Sequence, residues 1–186
     1  MKKKIIVAML VLLAFAGSAS AFDFMSAADG IKDSSIFVNI GVGIGGNPGG
    51  ENVTLPPLSF SVDYLLPIPI PLSVGGFFSF AMYGNDYSSY KCEQIYMAFG
   101  GRVAWHVDLG LKNLDLYLGA ALGYMMFTHQ HTYPNYPSYN SKAETGSFYF
   151  GGFLGARYFF TNNIGVWLEA GYSALTYASL GLALKF

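Results

Sequence analysis

Five charged residues stand in stretches of the chain that are otherwise apolar or small: Asp63, Arg102, Arg157, Glu169 and Lys185. A charge that is removed from water is costly unless it is paired or hydrated, so Asp63, Arg102 and Lys185 are expected either to join a pair of Arg157 with Glu169 or to lie at other depths. Arg157 and Glu169 flank a short turn at nearly mirror positions, which favours a direct ion pair between them. Such a cluster could close a narrow polar interior permanently, or it could act as a gate that opens to pass ions. The sequence leaves both alternatives open.

His106, Asp108 and Asp115 form a second polar group around a predicted turn. An imidazole beside a carboxylate can transfer protons, but nucleophilic catalysis also needs a hydroxyl or thiol next to the imidazole. The residue pattern places no such group beside His106. We therefore predict hydrogen bonding rather than catalysis at this position, and no enzymatic activity for the chain.

The segment THQHTYPNYPSYNSKAET, residues 128–145, contains the two other histidines. His129 and His131 would lie on one face of an extended strand and could bind a transition metal. Two ligands alone make a weak site, so the sequence predicts no metal and no other cofactor. The single cysteine, Cys92, falls in a different predicted loop. It excludes an intrachain disulfide, and we expect either an idle loop thiol or one that reacts with another molecule.

The same segment carries Tyr133, Tyr136 and Tyr139, which are separated by prolines and small polar residues. Prolines stiffen the loop, and tyrosines provide rings and hydroxyl groups for contacts. Tyrosine-rich loops of this kind suit contact with proteins or glycans. The alternative is a surface loop that binds nothing.

The amino terminus has the pattern of a bacterial secretory signal. Lys2, Lys3 and Lys4 precede an apolar run over residues 5–16, and a small-x-small site follows within residues 17–21. The apolar run is too short to span a bilayer, which distinguishes it from a membrane anchor. We predict cleavage after Ala21, with residues 22–34 as a short periplasmic amino-terminal segment of the exported chain.

The composition of the exported chain excludes some partners and restricts the fold. Removal of residues 1–21 leaves seven basic residues against eleven acidic ones, a net charge of −4. Nucleic acid is therefore not an expected partner, because it requires a basic face. Hydrophobic residues make up 53% of the chain and charged residues only 11%, compared with about 25% charged in ordinary soluble proteins. No apolar run after the signal reaches the ~20 residues of a membrane helix, so the apolar residues must follow another pattern.

That pattern is alternation, which recurs along the chain with turn residues between the repeats. The alternating stretches are residues 36–44, 58–64, 72–82, 95–108, 116–126, 148–160, 164–173 and 179–186. In each stretch one set of alternate residues is mainly apolar, whereas the other set contains the glycines, hydroxyl groups and charges. A period of two predicts β-strands, and turn residues between successive strands predict antiparallel hairpins.

The two faces of these strands differ in the side chains that they carry. One face combines eleven glycines with rings such as Tyr117, Phe153 and Trp167, and this mixture of small and large residues can fill a narrow barrel. The other face is apolar, nearly free of charge and edged with aromatic residues such as Trp105 and Tyr158, which is typical of a lipid-facing band. A soluble lipocalin-like carrier would instead place its apolar face inside.

The connections between strands alternate in length. Three are long, at residues 45–57, 84–93 and 128–145, and three are short, at residues 66–71, 109–114 and 161–163; the fourth connection on the long side, around residues 174–177, is short. Long external loops and short periplasmic turns are typical of outer-membrane barrels. The sequence thus predicts an all-β fold, an eight-stranded antiparallel up-and-down transmembrane β-barrel over residues 35–186, in the bacterial outer membrane.

The last strand, SLGLALKF, presents Leu180, Leu182, Leu184 and Phe186 on one face. It resembles the carboxy-terminal signal of bacterial outer-membrane barrels, which implies recognition by the barrel-assembly machinery. The segment GARYFFTNNIGVWLEAGY, residues 155–172, is similar to the hairpin between the sixth and seventh strands of small opacity-type and OmpA-type barrels. The resemblance implies a fold and a location more directly than an activity.

Two functions fit these features. The first is a structural or surface-interaction role, adhesin-like, in which a barrel with a packed polar lumen contacts lipid along its wall and a host or envelope ligand at its outer loops, through His129, His131 and the three tyrosines. The second is a narrow channel for ions or small solutes that is gated by the inward charges. An eight-stranded barrel is just wide enough for its own side chains, which favours the first.

Overall fold

The structure, a computed structural model, describes residues 35–45, 52–111, 113–173 and 175–186. It is a closed barrel in which each strand pairs with its neighbours in chain order. The strands are β1 (Ile36–Ile44), β2 (Val53–Leu65), β3 (Leu72–Asp86), β4 (Lys91–Val107), β5 (Leu114–Thr132), β6 (Ser141–Phe159), β7 (Ile164–Ser173) and β8 (Thr176–Lys185). The predicted all-β, eight-stranded antiparallel up-and-down barrel is confirmed. The predicted signal peptide and residues 22–34 lie outside the described residues.

The barrel closes where the last strand pairs with the first. The antiparallel register of β1 and β8 runs from Phe37 opposite Lys185 to Ile44 opposite Ala178. The main chains of Ile36 and Phe186 also exchange two hydrogen bonds, of 3.0 and 2.9 Å. Closure leaves no unpaired sheet edge along this seam, which is the requirement for a sheet that lies in lipid.

We call the end of the barrel where β1 begins and β8 ends the terminal end, and the opposite end, where β3 joins β4 and β5 joins β6, the loop end. At the loop end several strands extend well beyond their predicted limits. The predicted strand 116–126 is part of Leu114–Thr132, and the predicted strand 148–160 is part of Ser141–Phe159. The connection between these two strands is correspondingly shorter than predicted, and it contains a single 3₁₀ turn, Pro137–Tyr139. No helix in the described part of the chain is long and apolar enough to cross a membrane.

The outer wall of the barrel is an apolar surface. On β7 and β8, Val166, Leu168, Leu180 and Leu182 are between 44 and 55% exposed, and the residues between them point inward. The same alternation of exposed and buried residues runs along β2 and along the half of β6 that lies towards the terminal end. Exposure of so many branched apolar side chains on one continuous wall indicates a surface that contacts lipid rather than water.

The interior is filled by large rings packed against inward glycines. Phe37, Tyr117, Phe159 and Trp167 are at most 2% exposed and belong to one core cluster. The ring of Tyr117 occupies the space that a side chain at Gly155 would need, so the two positions are complementary. Inward side chains therefore fill the interior of the barrel, as expected for eight strands.

Candidate functional site

Arg157 lies at the centre of the buried polar network, fully enclosed on the inward face of β6. Its Nη1 donates a hydrogen bond to Asp115 Oδ2 at 2.8 Å, and its Nε donates to Asn39 Oδ1 at 3.0 Å. Its Nη2 forms an ion pair with Asp63. The guanidinium also lies 4.2 Å from the ring centroid of Tyr117. All of its polar edges are thus engaged, which is what a buried cation requires.

Arg102 forms the second half of the network. Its Nη2 donates to Glu169 Oε2 at 2.6 Å, and its Nε lies 3.0 Å from Asp63 Oδ1. The contact with Asp63 is an attraction between charges without hydrogen-bond alignment, since neither atom has a hydrogen-bond partner among the described residues. The guanidinium lies 4.0 Å from the ring centroid of Phe153. Asp63 therefore bridges the two arginines.

The expected direct pair between Arg157 and Glu169 is not formed. In the register of β6 and β7, Arg157 lies opposite Trp167 and Glu169 lies opposite Gly155. The long arginine side chain crosses the lumen towards β2 instead of reaching along the hairpin. Glu169 accepts hydrogen bonds from Arg102 and from the Tyr117 hydroxyl, the latter at 3.0 Å. Pairing across the lumen thus replaces pairing between neighbouring strands.

His106 extends the network towards the terminal end. Its Nδ1 lies 2.7 Å from Asp115 Oδ1, and its Nε2 lies 2.9 Å from Ser73 Oγ. The prediction that no hydroxyl lies beside His106 was wrong, because Ser73 faces inward on β3 opposite Ala104. The three groups are in the order of a serine–histidine–aspartate triad. All three are fully buried, however, and Arg157 also holds Asp115. The geometry gives a substrate no path to the serine oxygen.

Two other charges of the predicted groups, Asp108 and Lys185, make contacts of a different kind. Asp108 lies in the turn after β4, where its Oδ1 accepts a hydrogen bond from the Gly110 main chain at 2.7 Å. Lys185, near the end of β8, has its Nζ 4.9 Å from the ring centroid of Phe159. Asp108 therefore stabilises a turn, whereas Lys185 packs its cation on an aromatic ring near the terminal end.

The network and the rings leave little space in the lumen beside Arg102 and Glu169. The cavity beside Arg102 and Glu169 has a volume of about 20 Å³, which is room for about one water molecule. Serine hydroxyls line the same cavity, from Ser59, Ser61, Ser79 and Ser179. The described residues thus form a polar lumen that is closed at this level.

The loop end carries a continuous set of tyrosine rings. Tyr90 stacks on Tyr87 at 4.7 Å and on Tyr133 at 5.4 Å between ring centroids. Tyr139 contacts both Tyr133 and Tyr136 edge to face. The sequence pattern pointed to the three tyrosines of the segment 128–145 as contact residues. It did not point to Tyr87 and Tyr90, which lie in the neighbouring hairpin. Extension of β3, β4 and β5 beyond the apolar band brings the two hairpins together.

The hairpin tip is held in shape by short-range hydrogen bonds. The main chain of Tyr133 donates to Asn140 Oδ1 at 2.7 Å. The main chains of Tyr136 and Tyr139 donate to the carbonyls of Tyr133 and Tyr136, at 3.1 and 3.0 Å. Tyr136 and Tyr139 remain 64 and 70% exposed, so the tip presents preformed rings to solvent.

The sequence predicted loop positions for Cys92, His129 and His131, and this was wrong. The three residues lie on the inward faces of β4 and β5. Cys92 lies opposite His131 and Gln94 lies opposite His129 in the register. Cys92 is buried, at 4% exposure. The polar sequence of these strand ends caused the error, because it breaks the apolar alternation although the strands continue.

The residues of the predicted assembly signal lie at the end of the last strand. Leu180 and Leu182 are exposed on the outer wall, at 53 and 55%, and Phe186 is 69% exposed at the terminal end. Leu184, on the same face, pairs with both Val38 and Ile164. The last strand thus presents one apolar side to the surroundings of the barrel.

No protein-family model matches the sequence, and no curated protein matches it either. Solved structures have the same fold. Ail, the attachment invasion locus protein of Yersinia pestis, is 14% identical, with a TM-score of 0.53 over 83% of this chain and 100% of Ail. Its complex with the heparin analogue sucrose octasulfate gives 15% identity and a TM-score of 0.55 over the same shares of both chains. A major outer membrane protein from Thermus thermophilus is 14% identical, with a TM-score of 0.56 over 82% of this chain and 99% of that protein.

Proposed function

From its fold, which is that of small eight-stranded outer-membrane barrels, we propose that the protein is an integral outer-membrane barrel whose role is surface interaction through its loop end. In this proposal residues 1–21 direct export, and the barrel-assembly machinery recognises the last strand. The apolar wall contacts lipid, and the loop end faces outward.

The observation that carries the proposal is the closed lumen. Asp63, Arg102 and Arg157 join opposite walls of the barrel through buried ion pairs. A lumen in which the cavity beside Arg102 and Glu169 holds about one water molecule supports a structural interior more than a route for solutes. Among the described residues, the outer wall and the loop end are then the surfaces on which we expect a partner to bind.

The chemistry of the loop end favours an uncharged or weakly charged ligand. Its lysines are offset by acids, since Lys91 lies 3.0 Å from Asp86 and Lys142 lies 2.6 Å from Glu144. Tyrosine rings with exposed faces can pack on sugar rings or on apolar protein side chains. The Yersinia barrel was solved with a heparin analogue, but the described loop end of this chain offers no cluster of unbalanced cations for a sulfated ligand.

The test is display of the full chain on a bacterium that does not adhere to host cells or to extracellular-matrix proteins. We expect display to increase adhesion. The double variant Y136A/Y139A should lose most of the increase, whereas Ser138→Ala, in the same loop, should retain it. Equal surface levels and equal heat-modifiable mobility of the folded barrels must accompany the comparison. Adhesion that display leaves unchanged, or that the tyrosine variant retains, would contradict the proposal.

A further inference from the structure

We propose that Cys92, His129 and His131 bind one thiophilic d¹⁰ metal ion, Zn²⁺ or Cu⁺, at the loop end of the lumen. This inference rests on the geometry of β4 and β5 and does not depend on the adhesion proposed above. The two histidines alone would make a weak metal site, and Cys92 supplies the third ligand.

The strand register brings the three ligands together. Cys92 lies opposite His131 across the β4–β5 ladder, and His129 is the next inward residue on β5. The Cys92 Sγ atom is 3.2 Å from His129 Nε2. One ligand atom from each of the three residues lies within 4.8 Å of the other two. All three side chains therefore converge on one small volume from two rigid strands, rather than from loops.

A buried ring nitrogen of His131 provides independent support. Its Nδ1 atom is buried and has no hydrogen-bond partner among the described residues. A buried ring nitrogen without a partner is costly in a folded protein, and an unseen ligand is one explanation for it. The ring of His131 lies 4.5 Å from that of His129 between centroids. A metal ion between the two imidazoles and the thiolate would give the buried nitrogen a partner.

The distances fit a tetrahedral ion after small side-chain movements. Zinc binds thiolate at about 2.3 Å and imidazole at about 2.0–2.1 Å, so donor atoms around a tetrahedral zinc lie roughly 3.3–3.6 Å apart. The Sγ to Nε2 distance is already slightly shorter than this, and the other donor atoms, which are at most 4.8 Å apart, need to approach one another by at most about 1.5 Å. Three protein ligands leave a fourth position for water or for a ligand that arrives from the loop end.

The donor set selects the metal. A thiolate with two imidazoles prefers zinc and copper to magnesium or calcium, which prefer oxygen. Binding converts the Cys92 thiol to a thiolate, and the released proton passes to solvent while the metal keeps its oxidation state. Aromatic neighbours restrict the two histidine rings: Phe127 lies 5.9 Å from His129 and Tyr90 lies 5.7 Å from His131 between ring centroids. Restricted rings reduce the entropy that metal binding must overcome.

The experiment is a titration of the untagged, folded, full-length barrel with Zn²⁺, with Cu⁺ and with the spectroscopic probe Co²⁺ under reducing conditions. We expect one ion per chain, and the cobalt form should show a thiolate-to-metal charge-transfer band together with the intense d–d bands of a four-coordinate site. Cys92→Ser should abolish the charge-transfer band. His129→Gln and His131→Gln should each weaken zinc binding by at least about tenfold.

Gln130→Ala is the matched control, because residue 130 lies between the two histidines on the opposite face of β5. This variant should bind zinc as the unmodified chain does. Heat-modifiable mobility on gels establishes that each variant is folded before titration. A cobalt spectrum without the thiolate band, or zinc binding that Cys92→Ser leaves unchanged, would overturn the proposal, as would the absence of binding by the folded unmodified chain.

Discussion

Arg157 and Asp63 form an ion pair across the lumen although they are 94 residues apart in the sequence. Arg157 projects from β6 and Asp63 from β2, so their contact joins opposite walls of the barrel. Asp63 also lies 3.0 Å from Arg102 Nε. One carboxylate therefore holds two buried guanidinium groups.

We expect Asp63→Asn to lower the free energy of unfolding by about 1–3 kcal/mol, because each buried guanidinium keeps one carboxylate, Asp115 or Glu169, but loses its second. Urea unfolding of the barrel in lipid vesicles, followed by tryptophan fluorescence, measures the change. Asp108→Asn is the control, since that carboxylate only accepts one hydrogen bond in an exposed turn. It should cost less than about 1 kcal/mol. A similar cost for the two variants would contradict a structural role for Asp63.

Double-mutant cycles distinguish the observed pairing from the one that the sequence suggested. We expect a coupling energy of about 1–3 kcal/mol between Arg102 and Glu169, which are 2.6 Å apart. The coupling between Arg157 and Glu169 should be smaller, because those side chains are connected only indirectly, through Tyr117 and through Asp63 and Arg102. The cycles use alanine substitutions and the same unfolding measurement. Larger coupling in the Arg157–Glu169 cycle would mean that the lumen is arranged differently in the membrane.

The strands and the orientation of their faces could be predicted because alternation is a local property. Each of the eight predicted stretches overlaps one observed strand, and Asp63, Arg102, Arg157 and Glu169 all point inward as expected. The partner of each charge could not be predicted, since contacts across a lumen depend on the stagger of strands around the whole barrel.

The loop-end strand limits were missed for a different reason. Beyond the apolar band both strand faces become polar, so alternation disappears from the sequence while the hydrogen-bond ladder continues. Counting every second residue from Tyr96 and from Phe127 towards the loop end would have placed Cys92 and His131 on the inner face. The same count along β3 towards the terminal end places Ser73 on the same inner face as His106.

Gly181→Ala tests the close approach of β8 to β1. An added Cβ at Gly181 would lie 2.7 Å from the carbonyl carbon of Ile40, so the seam of the barrel must shift. We expect a loss of about 1–3 kcal/mol in the free energy of unfolding. Gly101→Ala is the matched control on the outer wall, where the nearest atom is 3.8 Å away, and it should change stability by less than about 0.5 kcal/mol. Equal tolerance of both variants would contradict the tight β1–β8 seam.

Leu182→Arg tests whether the outer wall lies in lipid. Leu182 is exposed on β8 between Ile40 and Val166 on the neighbouring strands. An arginine near the middle of the bilayer should cost about 2–4 kcal/mol, whereas one near the interface should cost about 0–1. Ile164→Arg, at the terminal end of β7, supplies the interfacial comparison. Unfolding from vesicles measures both, and equal small costs would show that residue 182 does not face the membrane interior.

Single-channel recording of the refolded barrel in a planar bilayer tests the closed lumen directly. We expect no conductance steps from the unmodified chain, because the cavity beside Arg102 and Glu169 holds only about one water molecule. The double variant R102A/E169A removes the two charged side chains that border this cavity without leaving either charge unpaired at that position. It should show small steps of defined size, whereas Lys91→Ala, at the exposed loop end, should remain silent. Steps from the unmodified chain that change in the double variant would instead make these charges the gate of a narrow channel, and the closed lumen could no longer support an interaction role.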